Sequence, residues 1–348
     1  MAGPTEQVKP LVAPCGAVAA TSVQAMKPRF SIVIPVHNRR DYLVQALASC
    51  IRQTARDFEV VVSDDCSTDD LAAVVQSFAD PRIRFERSSE RLGAARNHQM
   101  AVTLARGEYV LTLHSDDFLL PQCLEAAGGA LDANTAAAAV YYSMTYLVGS
   151  SIDGFHPVPG IAFADRETWR NNPWLEKFPA TNPTCCLFRR SAFDALGGYR
   201  TDLRFVYDYD LYFRFLTAAG GVIFLPQILC VYRKHAQQAA ETSNVDGLCD
   251  MFDLWRSKEY SHWPSSEIAG LVLTQLGRMA RAGHSFSPVF EHIRRRRLTW
   301  TLLKGLPGAL GTKLRQRVLP KRAEDPNYRR PLDAENAVAA ARLVLGQL

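Results

Sequence analysis

The stretch Tyr109-Val110-Leu111-Thr112-Leu113-His114-Ser115-Asp116-Asp117 decides the fold. An apolar, β-prone run ends in two adjacent carboxylates, and Phe118-Leu119-Leu120-Pro121 opens the next segment. Neighbouring carboxylates repel each other, so a fold separates them or gives them a cation. At the carboxyl end of a parallel strand they would stand where open α/β sheets bind ligands. A hard divalent ion that also grips phosphate oxygens is the natural partner. The plainer alternative is a turn plus a helix N-cap, since Asp is common at both.

Upstream of this stretch, strands and helices alternate. Phe30 to Val36 is a β-branched apolar run closed by His37-Asn38-Arg39-Arg40. Leu43, Ala46, Leu47, Cys50 and Ile51 then recur at helical spacing. A second strand, Phe58 to Ser63, ends in Asp64-Asp65, with Ser67 or Thr68 placed to cap the helix through Leu71, Val74, Val75 and Phe78. Ile83 to Phe85 reads as a third strand and Gly93 to Ala105 as a helix. The near-continuous apolar strands predict a mostly parallel sheet covered by helices on both faces. Downstream, a helix is expected to Leu131 and a strand from Ala136 to Leu147. Gly149 to Pro183 reads as irregular, a helix starts at Asp208, and short strands follow at 222–224 and 228–232. Beyond Val245 the patterns turn helical.

At 348 residues there is room for one large domain and an appendage. The organisation expected is a flexible leader (1–28), a catalytic α/β domain (29–245) and a helical, basic C-terminal extension (246–348). Leu11 to Ala20 is short, broken by Pro14 and preceded by Glu6 and Lys9, which makes a poor signal peptide. No apolar run approaches the length of a spanning helix. Eight Cys without C-x-x-C spacing suggest neither a zinc site nor a disulfide framework and favour a reducing, cytoplasmic compartment.

Three acidic clusters stand at strand or helix ends: Asp64-Asp65, Asp116-Asp117, and Asp208 with Asp210. Group transfer from an activated phosphate donor would use one to read a base, one to hold a metal and one as general base. Around them, Ile-Val-Ile-Pro-Val-His-Asn-Arg at 32–39, Val-Ser-Asp-Asp-Cys-Ser-Thr-Asp at 62–69 and Gly-Ala-Ala-Arg-Asn at 93–97 resemble the family 2 glycosyltransferases. So do Leu-His-Ser-Asp-Asp at 113–117, Asp-Tyr-Asp-Leu-Tyr-Phe-Arg at 208–214 and Tyr-Arg-Lys-His at 232–235. The likeness runs from about Phe30 to Gln238.

The resemblance implies a GT-A fold, a nucleotide-sugar donor (UDP-linked) and an inverting displacement. Pro35, His37, Asn38 and Arg39 would line the nucleoside pocket, with Asp65 reading the base and Arg96 facing the diphosphate. Asp116 would contact the ribose, and Asp117 would hold Mg²⁺ or Mn²⁺, with His235 a further candidate metal ligand. Asp208 falls at the catalytic base. Trp169, Trp174 and Asp210 are the candidates for acceptor contact, and Asp210 could instead pair with Arg214 at i+4. Four positions depart from the family pattern: His37 replaces the commoner Tyr or Thr, Cys66 replaces the commoner Gly, His114 stands where many members carry a further Asp, and Tyr207 replaces the usual Glu before the base.

Between Arg278 and Arg330, fourteen Lys or Arg face three acidic residues, while the whole chain carries only +5. Arg294 to Arg297, followed by Leu298-Thr299-Trp300-Thr301-Leu302-Leu303-Lys304, suits an amphipathic segment on an anionic membrane surface. The alternative is a helix packed on the catalytic domain by Leu298, Leu302 and Leu303. Peripheral membrane contact fits a saccharide or lipid-linked acceptor, as in surface polysaccharide or glycoconjugate synthesis, and no nucleic acid is expected as partner. Two other classes compete: a nucleotidyltransferase, which would show a Gly-rich loop after the first strand, and a non-catalytic sugar-nucleotide binder with a degenerate site. The lack of G-x-G-x-x-G after a strand disfavours a dinucleotide oxidoreductase.

Overall fold

The computed structural model describes residues 27–156, 158, 160–165, 167–168, 182–218, 220–235, 238, 247, 249–250, 253–254, 285 and 287–295. In its first half strand and helix alternate: β1 (Phe30–Val36), α1 (Arg40–Ile51), β2 (Phe58–Asp64), α2 (Leu71–Ser77), β3 (Ile83–Arg87), α3 (Ala94–Leu104) and β4 (Tyr109–Thr112). β1, β2 and β4 are buried at every residue, which is why their sequences run apolar without alternation. They form a parallel ladder in the order β3-β2-β1-β4. The chain builds outward from β1 on one side, then returns to its other side for β4. That reversal is the topological switch point where open α/β sheets bind ligands.

At this switch point the two central strands part. β1 pairs with β2 as far as Val36↔Asp64, but with β4 only as far as Val33↔Thr112. Beyond Thr112 the chain leaves the ladder with the acidic pair, while β1 continues through Pro35. Pro35 therefore sits in a strand whose β4 neighbour has already ended, which is where a residue without an N–H is tolerated.

The second half adds β5 (Phe118–Leu119), α4 (Cys123–Ala133), β6 (Ala139–Val148), β7 (Ser151–His156) and β8 (Ile161–Ala164). A 3₁₀ turn (Pro183–Cys185), β9 (Cys186–Arg189), α5 (Arg190–Ala195), α6 (Tyr207–Ala218), β10 (Val222–Lys234) and α7 (Ser287–Arg295) follow. β9 lies antiparallel between β4 and β6, and β10 runs parallel to β6. The sheet is thus parallel around β1 and mixed beyond β4, with apolar clusters packed on both faces.

Four local expectations are corrected. Part of the stretch 149–183 forms two strands, β7 on β6 and β8 on β10; Asp153 and Gly154 hide the alternation of the first. The two strands expected at 222–224 and 228–232 are one, β10, with register shifts after Leu225 and Ile228 that absorb Pro226. Phe118–Leu119 is a short strand. The cap of α2 is Asp70, which accepts from the Ala73 N–H at 3.0 Å, because Ser67 and Thr68 are engaged in tying loops together. Leu254 and Val289 are buried in one apolar cluster with Tyr207, Leu211 and Phe215, so part of the region after 246 packs on the sheet domain. Leader residues 1–26, Trp169, Trp174 and residues 296–304 lie outside the described residues. No helix among the described residues is long and apolar enough to cross a membrane.

Candidate active site

Each acidic cluster is delivered to the carboxyl edge of the sheet by the element before it. β2 ends in Asp64, and both it and Asp65 are buried. Asp64 shapes the turn: its Oδ1 accepts the Ser67 N–H at 3.0 Å and the Ser67 hydroxyl. Asp65 accepts from the Leu92 N–H at 2.5 Å and the Gly93 N–H at 3.0 Å, and pairs with Arg91 at 3.0 Å. Its carboxylate thus anchors the start of α3, where Gly93 adopts φ 84° as the N-cap. His37 sits beside it, Nδ1 donating to the Asp65 carbonyl at 2.8 Å and Nε2 accepting from Arg91. These partners place the ring proton on Nδ1.

Asn38 and Arg39 both adopt left-handed backbone, φ 59° and 69°. That turn is held by Asn38, whose N–H donates to Ser67 Oγ at 2.7 Å and whose Oδ1 accepts the Thr68 N–H at 2.9 Å. The β1–α1 and β2–α2 loops are therefore one bonded unit. Arg96 is exposed in the first turn of α3. The next residue, buried Asn97, ties that helix to β2, exchanging hydrogen bonds with Ser63 Oγ (2.7 Å) and the Ser63 carbonyl (3.0 Å).

Across the cleft, Asp116 and Asp117 diverge. Asp116 is partly exposed and accepts from His235 Nε2 at 3.0 Å. Asp117 is buried: Oδ1 accepts the Arg233 N–H at 3.0 Å, and Oδ2 accepts Thr184 Oγ1 at 2.9 Å and Asn182 Nδ2 at 3.2 Å. Burial, then repulsion from Asp116, holds the Asp117 carboxyl well above the usual carboxylate range. His114 Nδ1 lies 3.9 Å from Asp117 Oδ2, and burial lowers the His114 pKa. One ligand atom from each of His114, Asp116 and Asp117 falls within 4.8 Å of the others. Two carboxylates and an imidazole converging where burial penalises negative charge could hold a divalent cation. The Mg²⁺ or Mn²⁺ anticipated from sequence fits these residues. His114 joins the cluster, whereas His235 spends Nε2 on Asp116 and stacks on Tyr42 (4.9 Å).

The third cluster splits by function. Asp208, in the first turn of α6, faces a cavity lined by Tyr141, Asn182, Cys186, Tyr199 and Phe215. Burial pushes its carboxyl up to about 7, against the lowering effect of the Tyr209 N–H bond. A carboxylate poised there can take a proton at neutral pH. Asp210 instead is buried and paired with Arg214, Nε at 2.7 Å and Nη2 at 2.6 Å, while Arg214 also reaches the Leu196 and Gly198 carbonyls. That geometry is the i+4 ion pair, a structural role, and gives no support to the acceptor contact expected of Asp210. Tyr207 is buried against His98 (4.9 Å between rings), and His98 meets His114 edge-on at 5.5 Å. Residues of the departing motif positions thus pack together.

Asn182 and Thr184 were missed from sequence; they hold Asp117 from 65 and 67 residues away, and no local pattern announces that. Asn182 also lines the Asp208 cavity, so it links the cation site to the candidate base.

The family model of Glycosyl transferase family 2 matches residues 31–197. The chain is 30% identical over 265 residues to the uncharacterized protein MT1568 of Mycobacterium tuberculosis, covering 67% of this chain and 75% of that one. It is 31% identical over 194 residues to the chondroitin synthase of Escherichia coli, 54% of this chain but 26% of that protein. The fold is similar to that of S. aureus TarS 1-349 in complex with UDP-GlcNAc, with a TM-score of 0.54, 18% identity, and coverage of 92% of this chain and 91% of that one.

Proposed function

The chain belongs to glycosyl transferase family 2, a glycosyltransferase of GT-A fold, and from that premise we propose that it moves a sugar from a UDP-linked donor to an acceptor hydroxyl in one inverting displacement. The observation that carries the reading is the pairing, through Asn182, of a cation site at the β4 edge with a carboxylate raised to about 7 at the start of α6. Pro35, His37, Asn38, Arg39 and Asp65 form the nucleoside side of the cleft, and Arg96 faces the diphosphate. Asp116 contacts the ribose. The chondroitin synthase likeness supports a saccharide or lipid-linked acceptor in polysaccharide or glycoconjugate synthesis.

In the step itself, Asp208 accepts the proton of the acceptor hydroxyl as its oxygen bonds to the anomeric carbon. The carbon–oxygen bond to the diphosphate breaks, and its electron pair leaves with the nucleotide. Inversion needs one base and no enzyme nucleophile. A divalent ion held by His114, Asp116 and Asp117 would neutralise charge developing on the departing diphosphate. Tyr141, Tyr199 and Phe215 wall the cavity beside Asp208, where the acceptor hydroxyl would enter.

Asp208→Asn tests the reading. Turnover is expected to fall at least about 100-fold with UDP binding retained by calorimetry; near wild-type turnover overturns the assignment.

A further inference from the structure

Asp208 sits at the mouth of α6, and the backbone leading into that helix is held by a residue far along the chain. The Asp250 Oδ2 accepts three consecutive amides: Arg204 N–H at 2.7 Å, Phe205 N–H at 2.6 Å and Val206 N–H at 3.3 Å. Val206 is the residue whose carbonyl accepts the first helical bond, from the Asp210 N–H at 3.0 Å. These amides come at a helix start, where N–H groups have no intrahelical acceptor. Successive amides turned on one anion are a backbone nest, and here the chain supplies the anion itself. Asp250 is buried, 6% exposed, and these donors meet a carboxylate whose burial would otherwise be costly.

Two further contacts from the same segment converge on the same turn. A Cβ built on Gly247 would lie 2.7 Å from the Phe205 ring, so the Gly247 backbone meets that ring at a distance only glycine permits. Leu254 is buried in one cluster with Tyr207 and Leu211, which flank Asp208 in sequence and along α6. The helical residues at 247, 249–250 and 253–254 therefore grip 204–211 through an anion, a close backbone approach and an apolar contact.

From this geometry we infer that Asp250 is a positioning residue for the transfer step: it fixes the entry into α6 and thereby the place of the Asp208 carboxylate. The inference rests on the reading of Asp208 as base. It assigns the start of the C-terminal region, lying beyond the matched family segment that ends at residue 197, to the catalytic machinery. Carboxylate acceptance is stronger than that of a neutral amide, so the isosteric variant loosens the turn while keeping its shape.

The test uses the full chain with UDP-sugar and acceptor at saturation. Asp250→Asn is expected to lower kcat about tenfold and Asp250→Ala about 100-fold, the scale of small misplacements of a reacting group. The donor KM and UDP affinity should stay within about twofold in both, since the nucleoside and cation residues lie on other elements. Should the alanine variant not fold, the asparagine variant carries the test alone. A kcat within twofold of wild type, or a loss of kcat matched by an equal loss of UDP affinity, overturns the inference. Asp208→Asn separates the two readings. If that variant is inactive while Asp250→Asn is unaffected, only the positioning role falls; if it keeps turnover, the base reading falls and this one with it.

Discussion

At Asp208 one physical cause sets both chemistry and cost. Burial raises its carboxyl from 3.8 to about 7, so the folded protein holds a proton there across that window that the unfolded chain releases. Its contribution to stability is therefore present at low pH and is lost as pH climbs from 3.8 through about 7. Catalysis runs the other way, because the base must be ionised. We expect kcat to rise about tenfold per pH unit below about 7 and to level above it. A flat profile between about pH 5.5 and 8 would count against Asp208 as the base. At His114 the issue is the ion. An imidazole standing in a cluster with two carboxylates offers the site a nitrogen donor beside its oxygens. His114→Ala should weaken Mn²⁺ binding about tenfold, near 1.4 kcal/mol, in a titration followed by electron paramagnetic resonance. Unchanged Mn²⁺ affinity would remove His114 from the ligand set.

At the scale of elements, the site follows from where strands stop. β4 leaves β1 at Thr112 while β1 runs on to Val36, so the loop bearing His37 to Arg39 and the loop bearing His114 to Asp117 face each other over an opened edge. The strand–helix alternation, the three acidic clusters and the Asp210–Arg214 pair were all legible in the sequence. Each depends on residues within one turn or one strand, and the periodicity of apolar side chains reports them directly. What escaped was set by contacts across the fold. Asp65 has its carboxylate taken up by the Leu92 and Gly93 amides, 27 and 28 positions on. Thr184 and Asn182 orient Asp117 from the far side of a stretch that reads as loop. β7 was hidden because Asp153 and Gly154 interrupt its run, and β8, Ile161–Ala164, is apolar but only four residues long. His114 looked like a defect in an acidic motif; only its 3.9 Å approach to Asp117 makes it a ligand candidate.

For the molecule as a whole, charge is divided along the chain. Fourteen Lys or Arg against three acids lie between residues 278 and 330, although the net charge is only +5, so the remainder is acidic. A cleft built of carboxylates that handles an anionic donor needs its own cation. The basic excess is therefore not explained by the donor. α7 shows how that region begins: Val289 is buried in the core, Phe290 is 61% exposed, and the last turn carries His292, Arg294 and Arg295. A helix docked by one side and basic at its end presents charge outward, next to a sequence that continues Arg296-Arg297-Leu298-Thr299-Trp300. Each basic residue near an anionic bilayer contributes about 1 kcal/mol. Four arginines thus supply about 4 kcal/mol, or about a thousandfold in partition, and the effect is screened by salt. We expect the full chain to float with anionic vesicles at low ionic strength and to be released by about 0.5 M salt. Replacing Arg294 to Arg297 by glutamine should abolish flotation while leaving kcat on a soluble acceptor unchanged. Flotation equal on neutral and anionic vesicles, or none on either, would refute a basic membrane-facing region and return it to a role in packing against the catalytic domain.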